Sequence, residues 1–225
     1  MKIINYSNQD YDLVSMIQEL FDCENLQKLH EKIPVGKEYT ELFKVGFDSS
    51  TIFHDAFYDK LNSGWGDLVS CYKALVKFTI NAEGLNRREY IYQRLPTFRV
   101  HLPDNLAVGD FHRDMDFNHP PGEINFVIPL TPMYGTNTIW CEKSPGQGQH
   151  HPIPRIDVGD IFRFDGNRLN HGNLVNKTGY TRVSMDFRIL SLSCYDLYSR
   201  SSSSAGSLTT NRKFTIGSYY EQFSK

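Results

Sequence analysis

The sequence predicts an α+β chain, helices first and antiparallel strands second, and three observations predict it. Apolar residues recur at three- and four-residue intervals through the first 85 or so positions. From Arg88 onward the period falls to two, and Pro, Gly, Asn and Asp divide the second half into short, turn-bounded segments. At 225 residues, 40% apolar and 13% aromatic, the chain can bury a core of its own.

The helical half opens with "DYDLVSMIQELFDCENLQKLHEKI", which sets Leu13, Met16, Ile17, Leu20 and Phe21 along one stripe. "SSTIFHDAFYDKLNS" and "DLVSCYKALVKFTIN" repeat the habit on either side of the break Asn62-Ser63-Gly64. His30 and His54 lie in these stretches and read as surface or helix-face packing. The strands are "REYIYQRLPTFRVHLP", "EINFVIPLTP", "TNTIWCEKS", "VGDIFRFDG" and "TRVSMDFRILSL", all rich in β-branched and aromatic residues. With no helical run between them, they predict antiparallel sheets closed into a sandwich or barrel, the helices packed on the outer face of one sheet. A single domain results: a helical region over 1–87, a β core over 88–197, and a Ser-rich loop with a C-terminal segment over 198–225. In that last part, "YSRSSSSAGSLTTNRKFTIGSYY" predicts a mobile loop and then a short aromatic segment that docks again; a lid and a plain excursion are both open readings.

A net charge of −2 and a pI near 6.4, with Lys and Arg scattered, argue against a nucleic-acid groove or an anionic membrane partner. No apolar stretch approaches the ~20 residues that cross a bilayer, and the N-terminus has no basic segment ahead of an apolar one. A soluble cytoplasmic protein is the expectation. Cys23, Cys71, Cys141 and Cys194 form no CxxC pair, which suits reduced thiols and leaves two disulfides possible.

The chemistry concentrates in "VGDFHRDMDFNHPPGEINFVIPL". Residues two apart on an extended segment project to the same side, so His112 and Asp114 can address one point. Two ligands hold a metal poorly. A third, His171, follows in "RIDVGDIFRFDGNRLNHGNLVN". Two imidazoles and a carboxylate on one octahedral face leave about three positions open, the pattern of non-haem Fe(II) oxygenases. Ten residues separate His171 from Arg182, and Ser184 lies two further along the same strand face. A guanidinium beside a hydroxyl suits a carboxylate. That strand divides cleanly: Val183, Met185, Phe187 and Ile189 on one face, Arg182, Ser184, Asp186 and Arg188 on the other. A face so charged predicts a polar cavity, with a solvent-exposed face as the alternative.

His112-x-Asp114, then "VGDIFRFDG…NHG" around His171, then Arg182-x-Ser184 resemble the Fe(II)/2-oxoglutarate-dependent oxygenases, and are most similar to the small streptomycin-biosynthesis-type and phytanoyl-type hydroxylases. The resemblance spans residues 88 to 190 and implies a double-stranded β-helix, the cupin-like jelly roll. It implies Fe(II) on His112, Asp114 and His171, with Arg182 and Ser184 holding the distal carboxylate of 2-oxoglutarate. It further implies O2-dependent decarboxylation of that cosubstrate to succinate and CO2, coupled to attack on a substrate C–H bond. Asp114 stands where related halogenases carry a small residue, so hydroxylation is favoured over halogenation.

Other residues have two readings each. Asn125, opposite in parity to Ile124, Phe126 and Ile128, is expected at the cosubstrate or as a strand-end amide. Trp140 lines the pocket or packs in the core. Arg99 and His101 share a face that could meet a substrate carboxylate or phosphate. Asp116 is assigned to the rim, and Arg188, with Arg99, Trp140 and Asp116, to a polar small-molecule substrate of specialised or sugar metabolism. His119, His150 and His151 lie beside prolines in loops, and His150 and His151 are expected at the surface. Two rival readings remain: a cupin-type metal enzyme that does not use 2-oxoglutarate, and a metal-free β-sandwich carbohydrate-binding module.

Overall fold

The first helix, α1 (Leu13–Phe21), starts where the Asp12 carboxylate accepts the Ser15 N–H at 3.0 Å, and stops where Asp22 turns left-handed at φ 46°. A 3-10 turn over Leu26–Lys32 follows, capped by the Asn25 side chain. In α2 (Ile52–Asn62) the Thr51 hydroxyl accepts the His54 N–H, and α3 (Gly66–Ala82) comes after the Gly64 break. The computed structural model describes residues 1–33, 51–85, 89–107, 110–201 and 213–223.

The strands follow as β2 (Tyr90–Gln93), β3 (Thr97–His101), β4 (Ile124–Pro129), β5 (Trp140–Cys141), β6 (His151–Pro152), β7 (Asp160–Phe164), β8 (His171–Gly172), β9 (Arg182–Ser191) and β10 (Tyr220–Gln222). Together with β1 (Lys2–Asn5), the larger sheet runs β1-β7-β4-β9-β2-β10, with β3 also pairing β9; the smaller runs β6-β5-β8. Every ladder is antiparallel.

Register decides the two faces of the larger sheet. Phe98, Val100, Phe126, Ile128, Val183, Met185, Phe187 and Ile189 join the helices in one core. Phe98 stacks on Phe57 of α2 at 4.3 Å and 7° between ring planes, and Phe187 meets Tyr72 of α3 edge-on and Phe126 face-on. On the other face Val127, Phe162 and Phe164 pack with Ile139, Cys141 and Ile153, an apolar layer that joins the two sheets. The helices therefore cover one side of the larger sheet, and the smaller sheet covers the other.

Three expectations need correction. The N-terminal region is not purely helical: "KIIN" forms β1, paired with β7 from Lys2↔Arg163 to Asn5↔Asp160. Four residues are too few to show a period, and the partner lies far away in sequence. The chain after β9 does not run straight into a loop. It forms α4 (Leu192–Ser201), with Ser191 Oγ accepting the Cys194 N–H at the start. Asp114 lies on a 3-10 turn over Asp114–Phe117 rather than on an extended segment. The Ser-rich stretch 202–212 lies outside the described residues, but the aromatic segment beyond it docks, with Tyr220 against Gln93 and Gln222 against Ile91. No helix among the described residues is long and apolar enough to cross a membrane.

Because Phe98 bridges helix and sheet and is 1% exposed, Phe98→Ala should cost about 3–5 kcal/mol of stability in urea unfolding. A loss under about 1 kcal/mol would mean that helices and sheet do not share this core.

Candidate metal centre

His112 and His171 come together through the backbone. His112 N–H donates to His171 O at 3.0 Å and His171 N–H to His112 O at 2.9 Å, a reciprocal pair that extends the smaller sheet by one bridge. The rings lie 4.8 Å apart. In each, Nδ1–H donates to a main-chain carbonyl, Asp110 O at 3.0 Å and Leu169 O at 2.9 Å. Those bonds fix the tautomer and leave both Nε2 lone pairs for a ligand.

Both Nε2 atoms aim at the same oxygen: Asp114 Oδ1 is 3.8 Å from His112 Nε2 and 3.8 Å from His171 Nε2. The second carboxylate oxygen is already used. Oδ2 accepts Asn125 Nδ2 at 2.7 Å and Arg188 Nε at 2.9 Å. The carboxylate is thus divided, one oxygen held and one presented. Burial alone would raise its pKa. Arg188, His119 and His171 outweigh that and hold it well below the usual carboxylate range.

The turn that carries Asp114 is anchored at several points. Asp114 N–H donates to Gly166 O at 2.9 Å, and Gly166 N–H donates to Asn125 Oδ1 at 3.1 Å. A Cβ on Gly166 would meet the Asn125 amide at 2.9 Å, so only glycine admits this approach. Behind the histidines, Phe111 packs on His150 at 4.0 Å, and a Cβ on Gly172 would strike the Phe111 ring. His150 Nε2 meets Asn170 Oδ1 at 2.7 Å. Glu142, 2% exposed, accepts the N–H groups of Gly148, Asn170 and Gly146. Those bonds, Gly148 foremost, lower its pKa and brace the residue before His171.

Arg188 is the centre of a buried network. Its Nε lies 3.7 Å from Glu123 Oε2, and its Nη1 donates to Tyr219 Oη at 3.2 Å, Gln93 Oε1 at 3.3 Å and Asp186 Oδ2 at 3.5 Å. Glu123 accepts His119 Nδ1–H at 2.7 Å and the Tyr220 hydroxyl. Asp114, His119 and Glu123 also form a metal-sized group, but the guanidinium already supplies the cation there.

At the other end of the same face of β9, Arg182 is 2% and Ser184 1% exposed. Arg182 Nε and Ser184 Oγ have no hydrogen-bond partner among the described residues. Burial, then repulsion from Arg99, pushes the Arg182 guanidinium down to about 9, with Asp186 opposing. A buried cation without a paired anion is costly, and a bound carboxylate would remove that cost.

Several expected roles change. Arg188 is not open to a substrate, because it is buried against Asp114. Asn125 has both ends of its amide bonded, to Asp114 and to Gly166. Asp116 is exposed and paired with Arg113 at 2.7 Å. Arg99 Nε donates to Asp186 Oδ1 at 2.7 Å, while Trp140 Nε1 donates to Gly135 O at 3.3 Å. His101 is fully buried, its Nε2 against Asn105 O. His119 is buried and paired with Glu123, and His150, expected at the surface, is partly buried against Phe111. Glu123, Gln93, Glu142 and Tyr219 were not anticipated. Glu123 shares the parity of Asn125 ahead of β4, and that was the one available signal.

The antiparallel scaffold and the converging His, Asp and His side chains define a three-donor candidate metal site, with the buried Arg182 and Ser184 on the same strand face as Arg188. The chain matches no family profile. It is 36% identical over 220 residues to the streptomycin biosynthesis protein StrG of Streptomyces griseus, with 97% of this chain and 96% of that protein covered. The chain belongs to the StrG family. Among solved structures, it is similar to AviO1 from Streptomyces viridochromogenes Tue57, at 15% identity and TM-score 0.43 over 84% of this chain and 89% of that one. It is also similar to a non-heme monooxygenase, the ThoJ–Ni complex, at 10% identity and TM-score 0.43 over 84% and 73%. Both structural similarities are too slight to bear on function.

Since Arg188 is the cation that two buried carboxylates share, Arg188→Met should destabilise the fold by about 3–5 kcal/mol in denaturant titration. A loss within about 0.5 kcal/mol, as at an ordinary surface position, would contradict the network.

Proposed function

We propose that this protein is an Fe(II)- and 2-oxoglutarate-dependent oxygenase that hydroxylates a polar small molecule of specialised or sugar metabolism. The observation that carries the reading is the divided Asp114 carboxylate: Oδ2 is held by Asn125 and Arg188, and Oδ1 is offered where His112 and His171 Nε2 converge. Two imidazoles and one carboxylate on a single face are the donor set that suits Fe(II) and leaves positions open. Of the cosubstrate, the supporting feature is Arg182 with Ser184, a buried cation and hydroxyl whose Nε and Oγ lack partners among the described residues. They suit the distal carboxylate of 2-oxoglutarate. The kinship with a streptomycin biosynthesis protein supports a biosynthetic setting.

Fe(II) with 2-oxoglutarate supplies, when bound, an oxidant derived from O2, with release of succinate and CO2. The chain's own work is placement. His112, Asp114 and His171 are held before a metal arrives, by main-chain carbonyls and by Arg188, so little reorganisation is needed on binding. Arg182 and Ser184, on the same strand face as Arg188, orient the cosubstrate. Arg99, Trp140 and Asp116 remain partly exposed and are assigned to the side from which substrate enters. The two facing sheets are read as a double-stranded β-helix.

Anaerobic addition of Fe(II) and 2-oxoglutarate should produce a weak visible charge-transfer band that a chelator abolishes and His112→Ala does not form. Absence of the band in the wild type sinks the proposal. Arg182→Ala should weaken 2-oxoglutarate about tenfold to a hundredfold, the worth of one charge-assisted hydrogen bond, and leave Fe(II) affinity within about threefold by equilibrium titration. Equal losses would make the arginine structural.

A further inference from the structure

The last described segment, 213–223, does more than close a sheet edge. β10 pairs β2, and Tyr219 and Tyr220 turn inward to a cluster with Phe214, Ile91 and Leu190. Tyr219 is 6% exposed and Tyr220 fully buried. Burial of two phenols calls for hydrogen-bond partners, and both find theirs beside Asp114. Tyr219 Oη accepts Arg188 Nη1–H at 3.2 Å and donates to Gln93 Oε1 at 3.1 Å. Tyr220 donates to Glu123 Oε1, while His119 takes Oε2 at 2.7 Å.

Arg188 faces a choice between carboxylates. Its Nε is 2.9 Å from Asp114 and 3.7 Å from Glu123, and its Nη1 is 3.5 Å from Asp186. A guanidinium among three acids is not held on one of them by charge alone. What biases it is the occupation of the rival acid and the anchoring of its far end. Tyr220 and His119 satisfy Glu123; Tyr219 and Gln93 hold Nη1.

We propose that Tyr219 and Tyr220 are positioning residues for the metal ligand Asp114: Tyr219 fixes the far end of Arg188, and Tyr220 occupies the competing carboxylate of Glu123. The inference rests on the metal-centre reading above and adds a role for the C-terminal segment within it. Neither tyrosine touches the ligating oxygen. Each acts through Arg188, which holds Oδ2 and so sets where Oδ1 points.

The test uses the full-length chain and Co(II) alone as probe, read by its visible d–d absorption. Groups behind a ligand are worth about 10–100-fold in metal affinity, and the tyrosines lie one bond further out. Tyr219→Phe and Tyr220→Phe should each weaken Co(II) binding by about threefold to tenfold and displace the band, while 2-oxoglutarate affinity at saturating Co(II) stays within about twofold. In a Glu123→Gln background, the rival charge is gone, and Tyr220→Phe should cost less than about twofold. Equal Co(II) affinity and an unmoved band in the doubly substituted protein overturn the inference while leaving the metal centre standing. The same cost for Tyr220→Phe in both backgrounds overturns the competition argument at its core. Failure of the wild type to bind Co(II) overturns both.

Discussion

An ionised carboxylate buried in a protein must be neutralised, yet a carboxylate that is to bind a metal must keep a lone pair free. Asp114 meets both demands by splitting its two oxygens. Arg188 and Asn125 take Oδ2, and Oδ1 is left between two imidazole nitrogens. The ion pair with Arg188 is buried on both sides, with side-chain exposures of 8% and 4%, so water screens it little. Removing either partner would strand the other, which makes this pair the constraint around which the surrounding residues are arranged. The Gly166 approach, the Asn125 amide and the turn over Asp114–Phe117 all serve to bring that carboxylate to that guanidinium.

Strand β9 carries the organisation. One face feeds the helix-covered core through Val183, Met185, Phe187 and Ile189, and the other carries Arg182, Ser184, Asp186 and Arg188 toward the second sheet. A strand buried on both faces with charges on one is expensive unless every charge has a purpose. Arg188 has Asp114, Asp186 has Arg99, and the Nε of Arg182 has no hydrogen-bond partner among the described residues. The asymmetry along this one face separates a paired guanidinium, Arg188, from one whose Nε is unpaired among the described residues, Arg182.

Much of this was legible in the sequence, and the reasons differ by element. The helices showed in three- and four-residue spacing, and the β half in alternation, because both periods are local. The His-x-Asp spacing and the distant His171 were legible because donor chemistry is written in residue type. The parity of β9 announced a polar inner face. What could not be read was pairing across long separations: Arg188 with Asp114 spans 74 residues, and nothing near Arg188 distinguishes a substrate contact from a carboxylate brace. The partners of Asn125 were hidden for the same cause, since Asp114 and Gly166 come from two other segments. β1 escaped notice because "KIIN" acquires its meaning only beside β7, and His119 because a proline neighbour suggests a loop and says nothing of Glu123.

The strand order of the larger sheet has a consequence for biogenesis. Its two margins are β1 and β10, the strands nearest either end of the sequence. On a ribosome, β1 (Lys2–Asn5) is made long before its partner β7 (Asp160–Phe164), and until then it exposes a bare margin that invites the wrong neighbour. The tyrosines beside Arg188 follow the other members of its network in sequence. A nascent chain can therefore collapse its helices and central strands before its ionic interior is complete.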